Sequence, residues 1–193
     1  MGKYFGTDGV RGRANDTLTL DMAVKIGQYV GWYYGKTRHA KILIGKDTRL
    51  SGDMFEMALA AGASAAGAKV YLLGVCPTPA VSFLIQKEHF DCGIMVSASH
   101  NPFYDNGIKL FNGSGMKMNP DVEAQIEAYI DGETEELPLA KQEEIGRTVD
   151  YAAGRNRYIG YLISLATRSF EDMRVGLDCS NGSAFAIAKS VYD

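Results

Sequence analysis

Hydrophobic positions in the first part of the chain alternate between short apolar runs and stretches with helical spacing. Residues 41–45 (KILIG) and 69–74 (KVYLLG) are apolar runs closed by glycine, which is typical of buried parallel strands. Residues 51–68 lie between these runs, and helical spacing is found there at Met54, Met57, Ala58, Ala61 and Ala65. The pattern therefore predicts a β-α-β unit whose helix has Ser51 or Asp53 as its N-cap.

The same patterns predict further elements on both sides of this unit. Apolar positions with a helical period predict helices at about residues 20–34, 79–88, 120–130, 156–170 and 183–192. Apolar runs predict strands at residues 92–96, 107–112 and 174–178. The strands at 92–96 and 107–112 are joined by a connection too short for a helical crossover, so we expect them to be antiparallel.

These elements predict an α/β fold: a three-layer α/β/α domain with a mixed, mostly parallel sheet, followed by the start of a second, similar domain. Residues 131–150 are rich in glutamate, contain Pro138 and lack hydrophobic periodicity, so we expect a surface connection there. The predicted domains are therefore residues 1–150 and residues 151–193. A strand, a turn and one helix near the end of the chain cannot close a sheet, so we expect the second domain to be incomplete.

Composition and charge narrow the classes of function. Of the 193 residues, 46% are hydrophobic and 22% are charged, as in ordinary globular proteins. The net charge of -3 gives no long-range attraction to nucleic acid, so we expect no nucleic-acid partner and only a local anion site. No apolar run reaches the roughly 20 residues of a membrane helix, and no signal-like stretch opens the chain. We therefore expect a cytoplasmic protein with no membrane partner.

The cysteines support the same setting. Cys76, Cys92 and Cys179 are odd in number, far apart and surrounded by apolar or small residues. This pattern fits reduced structural thiols better than a disulfide or zinc framework.

A glycine-rich run at residues 5–12 (FGTDGVRG) is the first candidate for chemistry. Its glycines allow the backbone to pass close to a ligand, and the guanidinium of Arg11 is suited to a phosphate. The residues that would form such a loop are Thr7, Asp8 and Gly9. A glycine-rich turn with a solvated arginine explains the same residues equally well.

A second polar loop, residues 46–52 (KDTRLSG), joins a predicted strand to a helix N-terminus. Unsatisfied N–H groups at that position favour anions. The glycine and lysine spacing of a Walker-type phosphate loop is absent, however. Helix capping alone explains much of this loop.

The strongest signal follows the predicted strand at residues 92–96, which ends in the sequence SASHNP. Ser99 places a hydroxyl nucleophile where α/β sheets bind ligands, and the imidazole of His100 can carry protons near neutral pH. Asn101 and Pro102 restrict the turn. No Gly-x-Ser-x-Gly nucleophile elbow is present, which argues against an α/β-hydrolase. Lys109, ten residues after Ser99, could reach back toward the serine, although a lysine on a strand is more often a solvated edge residue.

These loops, in this order, resemble those of the α-D-phosphohexomutase superfamily and, within it, most closely the bacterial phosphoglucosamine mutases. The segments that carry the resemblance are KYFGTDGVRG (3–12), GKDTRLSG (45–52), CPTPAVSF (76–83), VSASHNP (96–102) and DNGIKLF (105–111). The resemblance covers essentially the whole chain. It implies an isomerase that interconverts glucosamine 6-phosphate and glucosamine 1-phosphate through a phosphoserine and a bisphosphate intermediate, for amino-sugar and cell-wall precursor synthesis.

The resemblance also implies roles for individual residues. Ser99 would carry the phosphoryl group, with His100, Lys109 and Arg11 as further catalytic residues that transfer protons or stabilise charge. Phosphate or substrate would be bound near Thr7, Asp8, Gly9 and Asn101. One Mg²⁺ ion would contact the phosphate of Ser99, with its other ligands in a second-domain loop that this chain lacks.

Enzymes of this superfamily have four domains, and the resemblance assigns these residues to the first domain and the start of the second. Since sugar recognition belongs to the later domains, we expect a sugar phosphate as the small-molecule partner but no turnover by this chain alone. Three alternatives stay open: a phosphomannomutase or phosphoglucomutase of the same superfamily, a non-catalytic module that forms a homodimer through the first domain, and, remotely, a serine hydrolase. Tyr29, Trp32 and Tyr33 are candidates for a dimer surface, although core packing explains many such aromatic residues.

Overall fold

The computed structural model describes residues 2–193. Its strands are β1 (Val10–Arg13), β2 (Lys41–Lys46), β3 (Lys69–Val75), β4 (Cys92–Val96), β5 (Asp105–Asn112) and β6 (Arg147–Asp150). Its helices are α1 (Leu20–Tyr34), α2 (Gly52–Ala65), α3 (Thr78–Glu88), α4 (Pro120–Ile130), α5 (Ala153–Ser164) and α6 (Phe185–Tyr192), with a short 3₁₀ turn at Gln142–Glu144.

The six strands form one mixed sheet in the order β1-β5-β4-β2-β3-β6. Strands β4, β2, β3 and β6 are parallel to one another, whereas β5 pairs antiparallel with both β4 and β1. The prediction of a mixed, mostly parallel sheet is confirmed. The predicted antiparallel pairing of the strands on either side of the Ser99 loop is confirmed as well.

Helices cover both faces of this sheet. Ile42 and Ile44 of β2 belong to the hydrophobic cluster that includes buried side chains of α1, α2 and α4. Leu43, which points the opposite way because side chains alternate along a strand, belongs to the cluster that includes α3 and Tyr158 of α5. The predicted three-layer α/β/α architecture is therefore confirmed. Every residue of β4 is buried because this strand lies inside the sheet and is covered on both faces.

Helices α1 and α2 pack with their backbones in close contact. A Cβ atom on Gly27 would overlap the carbonyl oxygen of Leu59, and one on Gly62 would overlap the carbonyl oxygen of Val24. Any side chain at these two glycines would force the helices apart. This contact corrects the predicted face of α2, because Met57 and Ala61 are exposed, whereas the buried positions include Phe55, Leu59 and Gly62. The buried face is set by the large side chains and by the glycine that admits α1.

The structure corrects three further predictions in the second half of the chain. Residues 174–178 form no strand, since Val175 and Leu177 are about half exposed and no strand among residues 2–193 pairs with them. The helix expected at residues 156–170 is Ala153–Ser164. The segment expected to be only a connection contains β6, which pairs with β3 and forms an edge of the sheet. A short strand can form where a neighbouring strand offers unpaired backbone N–H and C=O groups. The local sequence carries no signal for such a neighbour.

The N-terminal segment is fixed by one carboxylate on α4. Oε1 of Glu127 accepts hydrogen bonds from the backbone N–H groups of Tyr4 and Phe5, both at 2.6 Å, and Oε2 accepts one from Lys3 at 3.0 Å. Burial by itself raises the pKa of this carboxyl, but the three donors outweigh burial and leave the pKa below its ordinary value. These contacts hold the segment that leads into the glycine-rich loop.

The three cysteines are free thiols. Burial raises the pKa of the Cys76 thiol to about 12 and raises that of Cys92 further. Both thiols are therefore inert at neutral pH. Separately, none of the described helices has the length and apolar character that a bilayer crossing requires.

We expect Gly62→Ala to lower the free energy of unfolding by about 1–3 kcal/mol, because overpacking at this helix contact outweighs the gain in helix propensity of about 1 kcal/mol. The matched control is Gly160→Ala in α5, where an added Cβ meets nothing within 4 Å. This control should be neutral or should stabilise by up to about 1 kcal/mol. Urea denaturation measures both; a stabilised Gly62→Ala variant would contradict the close backbone contact.

Glu127→Gln should lower the free energy of unfolding by about 1–3 kcal/mol at neutral pH, since a charged acceptor of three N–H groups is lost. A depressed pKa in the folded state stabilises the fold above the ordinary pKa of about 4.3 and ceases to do so as the pH falls through the folded pKa. The difference between wild type and variant should therefore narrow below about pH 4. The neighbouring charged groups, Lys3 and Asp131, are present in both proteins.

Denaturation curves at several pH values measure this difference. The exposed Glu135→Gln change provides a control that should show no such pH dependence. If the difference in the free energy of unfolding between wild type and Glu127→Gln stays constant down to pH 3, the carboxylate is not the cause of that difference.

Candidate active site

Three loops meet at one edge of the sheet. Strands β2 and β4 are parallel neighbours, so their carboxyl ends lie side by side, and the backbone N–H of Asp47 donates to the carbonyl of Val96 at 3.0 Å. Strand β5 runs the other way and therefore starts at the same edge, where Ser97 N–H donates to the carbonyl of Gly107 at 2.8 Å. The fold thus brings the Ser99 loop, the loop after β2 and the start of β5 together, which is where open α/β sheets place ligands.

Ser99 stands exposed at the end of β4 in an unusual backbone conformation. Its φ angle is +56°, in the left-handed region that serine seldom adopts. Its Oγ lies 3.0 Å from Nδ1 of His100, within hydrogen-bonding distance. Its backbone N–H donates to Oγ of Ser97 at 3.1 Å. The hydroxyl therefore faces solvent beside an imidazole that can give or take a proton.

Two cations lie close to this corner and share one carboxylate. Lys109 of β5 pairs with Met95 of β4, and Arg11 of β1 pairs with Gly107 of β5. Oδ2 of Asp8 lies 3.1 Å from the Arg11 guanidinium, and its Oδ1 lies 3.5 Å from Nζ of Lys109. Asp8 is thus a counter-ion that orients the two cations, since a carboxylate repels rather than binds a phosphate.

The candidate residues line two adjoining cavities. Ser99, His100, Asn101 and Lys109 line a cavity of about 620 Å³. A smaller cavity of about 200 Å³ is lined by Thr7, Asp8 and Gly9, and Lys109 and Thr78 line both cavities. The structure therefore brings the predicted catalytic serine, histidine and lysine together and places the glycine-rich loop next to them. Arg11 reaches the site through contacts with Asp8 and, at 3.3 Å, with Oδ1 of Asn101.

Gly9 of the glycine-rich loop is required by its close contact with the sheet. Gly9 has a φ of +81°, and an added Cβ would overlap the carbonyl oxygen of Ile108 in β5. Residues 10–12 of the predicted loop belong to β1 (Val10–Arg13), so the loop is shorter than the sequence pattern indicates. Close approach to β5 therefore requires this glycine even with no ligand in place.

Asn101 is occupied within the Ser99 loop. Its Nδ2 donates to Oδ2 of Asp105 at 3.0 Å, while its Oδ1 accepts the contact from Arg11. These bonds support a role in shaping the loop. A direct contact between Asn101 and a substrate phosphate stays a prediction.

The loop after β2 serves the Ser99 loop more than its own helix. Ser51 occupies the N-cap position of α2 but makes no capping hydrogen bond, because its Oγ accepts from Nδ2 of Asn106 at 2.9 Å instead. Asp47 and Arg49, which the sequence did not single out, both bond to the Ser99 loop. Their partners lie about fifty residues away, so no local spacing could have indicated these contacts.

The site is suited to group transfer through Ser99. Among the described residues no carboxylate hydrogen-bonds to His100, so the third member of a Ser-His-Asp triad is not found and the hydrolase alternative gains no support. Residues 2–193 contain no group of three or more His, Cys, Asp or Glu side chains that could hold a metal ion. An exposed hydroxyl, an imidazole and two nearby cations are the parts that transfer of an anionic group requires.

Comparison with known proteins places this arrangement in one family. Residues 2–137 match the family model of phosphoglucomutase/phosphomannomutase, alpha/beta/alpha domain I. The phosphoglucosamine mutases of Lachnoclostridium phytofermentans and Lachnospira eligens are 63% and 64% identical over all of this chain, which covers 43% and 44% of their lengths. The crystal structure of a phosphoglucomutase/phosphomannomutase family protein from Burkholderia thailandensis shares the fold, with a TM-score of 0.74 at 23% identity, over 100% of this chain and 42% of that one.

We expect Arg11→Gln and Lys109→Gln each to weaken the binding of inorganic phosphate by about three- to tenfold, since each removes one partly exposed positive charge from the site. The control is Lys87→Gln, an exposed lysine near the far end of α3, which should leave phosphate binding unchanged. A phosphorus NMR titration measures all four proteins. Equal affinity in wild type and both site variants would contradict an anion site formed by these cations.

Proposed function

The chain belongs to the phosphoglucomutase/phosphomannomutase family, and from this premise we propose that it supplies the phosphoserine part of a phosphoglucosamine mutase. The observation that carries the proposal is the exposed Ser99 hydroxyl, held in a left-handed turn beside His100. The names of the relatives at 63% and 64% identity support glucosamine phosphate as the sugar. The chain spans 43% of the first of these relatives, so the activity concerns a longer assembly of domains.

The proposed division places the phosphoserine domain at residues 1–150 and the beginning of a second domain at residues 151–193. The match of the family's first-domain model to residues 2–137 supports this division. The connection between α4 and β6 is largely exposed, as expected for the boundary region.

In the proposed reaction, Ser99 Oγ carries a phosphoryl group and transfers it to a hydroxyl of the bound sugar phosphate. The bond between phosphorus and Ser99 Oγ breaks as a bond to the sugar oxygen forms, and the sugar hydroxyl releases its proton to solvent, which gives a sugar bisphosphate. The other phosphoryl group of that bisphosphate then moves to Ser99, and the sugar oxygen that it leaves takes up a proton. Nδ1 of His100, 3.0 Å from Oγ, is placed to protonate the serine oxygen as it leaves and to remove the proton when the serine is phosphorylated again.

The charge on the transferred group would be balanced by side chains at this corner. Lys109 lines the cavity that contains Ser99, and Arg11 is oriented toward it by Asp8 and Asn101. Fixed positive charges facing the position where negative charge develops are a large part of phosphoryl-transfer catalysis. We therefore assign Lys109 and Arg11 to stabilising charge, and Thr7, Asp8 and Gly9 to the loop that supports them.

The resemblance to phosphohexomutases implies one Mg²⁺ ion. The donor set in residues 2–193 does not fit a complete magnesium site, because no three carboxylate, imidazole or thiol groups converge. A phosphate on Ser99 would supply oxygen ligands, and the remaining ligands would have to come from outside this donor set. When bound, the ion would neutralise phosphate charge.

The setting we propose is the cytoplasm, which the three free thiols support because reducing compartments keep cysteines unpaired. A homodimer through the first domain is part of the same proposal. Trp32 and Tyr33 are half-buried on α1, and Lys36 lies over both rings, at 4.7 and 5.4 Å from their centroids. Tyr29, in contrast, is buried and donates from its hydroxyl to Gln125, so it serves the core.

Mass spectrometry of the full-length protein tests the phosphoserine. We expect a phosphoryl adduct on the wild type that is lost in Ser99→Ala and retained in Ser97→Ala, since Ser97 is buried and its Oγ donates to Asp47. Turnover should fall in Ser99→Ala by a factor of about a thousand or more, because the covalent intermediate cannot form. An adduct that persists in Ser99→Ala would overturn the assignment.

Turnover of glucosamine, mannose and glucose phosphates by the same wild-type protein tests the sugar. The highest kcat/KM is expected for glucosamine phosphate. A preference for mannose or glucose phosphate would keep the phosphoserine but replace the proposed specificity by that of a phosphomannomutase or phosphoglucomutase.

A further inference from the structure

Arg49, in the loop between β2 and α2, makes its contacts with the Ser99 loop rather than with solvent. We propose that Arg49 is a positioning residue whose guanidinium holds the Ser99 loop in the conformation that phosphoryl transfer requires. The inference rests on the proposed function for its catalytic consequence. The contacts that carry it are independent of that function.

All five N–H donors of the Arg49 guanidinium have an acceptor. Nε donates to Oδ2 of Asp47 at 3.0 Å. The two terminal nitrogens donate to four backbone carbonyls, those of Pro102 at 2.6 Å, Asp105 at 3.0 Å, Ser99 at 2.9 Å and Asn101 at 2.9 Å. Arginine has five donors in a rigid planar fork, so this side chain is saturated by Asp47 and four carbonyls of residues 99–105.

Asp47 fixes the guanidinium and links it to the serine. The Arg49 side chain is 9% exposed and that of Asp47 is 12% exposed, so this ion pair is largely shielded from water. Oδ1 of Asp47 also accepts the backbone N–H of Arg49, and its Oδ2 accepts the hydroxyl of Ser97 at 2.7 Å. Ser97 Oγ in turn accepts the N–H of Ser99, and the Arg49 guanidinium donates to the carbonyl of Ser99. Both backbone groups of the reactive residue are therefore held, the N–H through Ser97 and Asp47 and the carbonyl by Arg49.

These contacts are required because the backbone of the loop is strained at Ser99. Ser99 has a φ of +56°, which an L-residue other than glycine adopts only when its surroundings impose it. Four carbonyls within seven residues also converge on a single point, and they would repel one another without a donor between them. The guanidinium removes this repulsion and holds the turn in one conformation.

Arg49 and Arg11 differ in whether their N–H groups are free to bind a phosphate. No N–H of the Arg49 guanidinium remains for a ligand, although the residue lines the cavity that contains Ser99. The two terminal nitrogens of Arg11, in contrast, make one contact each among the described residues, with Asn101 and Asp8. Lysine cannot replace Arg49, because an ammonium group has three donors and no planar fork.

The test compares Arg49→Lys with a matched control, Arg38→Lys, in the full-length protein. Arg38 also donates from both terminal nitrogens, but to the carboxylate of Asp91, away from the Ser99 loop. We expect Arg49→Lys to lower kcat by about a hundredfold with little change in KM, as a small displacement of a reacting group does. Arg38→Lys should retain the wild-type kcat.

Two further readouts distinguish positioning from general loss of stability. Hydrogen exchange measured well below the unfolding temperature should speed up at the amides of Ser99, Asn101 and Asp105 in Arg49→Lys but not in Arg38→Lys. These amides donate within the loop, to Ser97 Oγ and to the carbonyls of Ala98 and Pro102. In Arg49→Ala, added guanidinium ion at millimolar concentration should restore part of kcat, whereas ammonium ion should not.

The outcomes separate this inference from the proposed function. A wild-type kcat in Arg49→Lys, or a raised KM with unchanged kcat, would overturn the inference, and the latter would make Arg49 a substrate ligand. Unchanged exchange in the loop would also overturn it. If the wild type carries no phosphoryl group on Ser99 and has no turnover, the proposed function fails, and the exchange measurement alone then decides whether Arg49 holds the loop.

Discussion

The parallel pairing of β2 with β4 is the constraint on which the rest of the site depends. It puts the carboxyl ends of two buried strands side by side, so that two polar loops must occupy the same edge of the sheet. The antiparallel return of β5 then adds Lys109, and β1 adds Arg11. Each of these strands is held by apolar contacts on its covered faces, so the geometry of the polar edge is fixed by the core below it. The helix contact through Gly27 and Gly62 belongs to that core.

The left-handed backbone conformation of Ser99 is maintained by contacts that depend on two charged side chains. A left-handed serine costs about 1–3 kcal/mol and persists only when neighbouring contacts impose it. Those contacts come from Ser97 on one side and Arg49 on the other, and both are tied to Asp47. The carboxylate is therefore more than a counter-ion. Its negative charge also balances the positive group that lies beside the serine backbone.

Features that depend on contacts between residues close in sequence could be predicted, whereas features that depend on residues far apart in the chain could not. Helices α1 and α4 and strand β4 begin and end where the sequence predicts, because apolar period and proline placement are local signals. Strands β1 and β6 have four residues each and form only through partners far along the chain, so their own sequences do not reveal them. In the site, Ser99 and His100 are neighbours in sequence and could be paired at once. The role of Arg49 could not, since four of its acceptors are backbone carbonyls, which carry no residue-specific signal.

The three basic side chains of this corner show that hydrogen-bond saturation, rather than charge, decides which of them can serve a phosphate. Arg49 and Arg11 carry the same charge, yet every donor of Arg49 is satisfied within the protein, whereas the terminal nitrogens of Arg11 make one contact each among the described residues and its side chain is partly exposed. Among residues 2–193, the one ionic contact of the Lys109 ammonium group is the longer one, at 3.5 Å, with Asp8. A phosphoryl group would compete with Asp8 for Lys109 and Arg11 at modest cost, but it would have to break a shielded ion pair and four hydrogen bonds to recruit Arg49. The guanidinium of Arg49 is thus fully hydrogen-bonded by the protein, whereas that of Arg11 is only partly so.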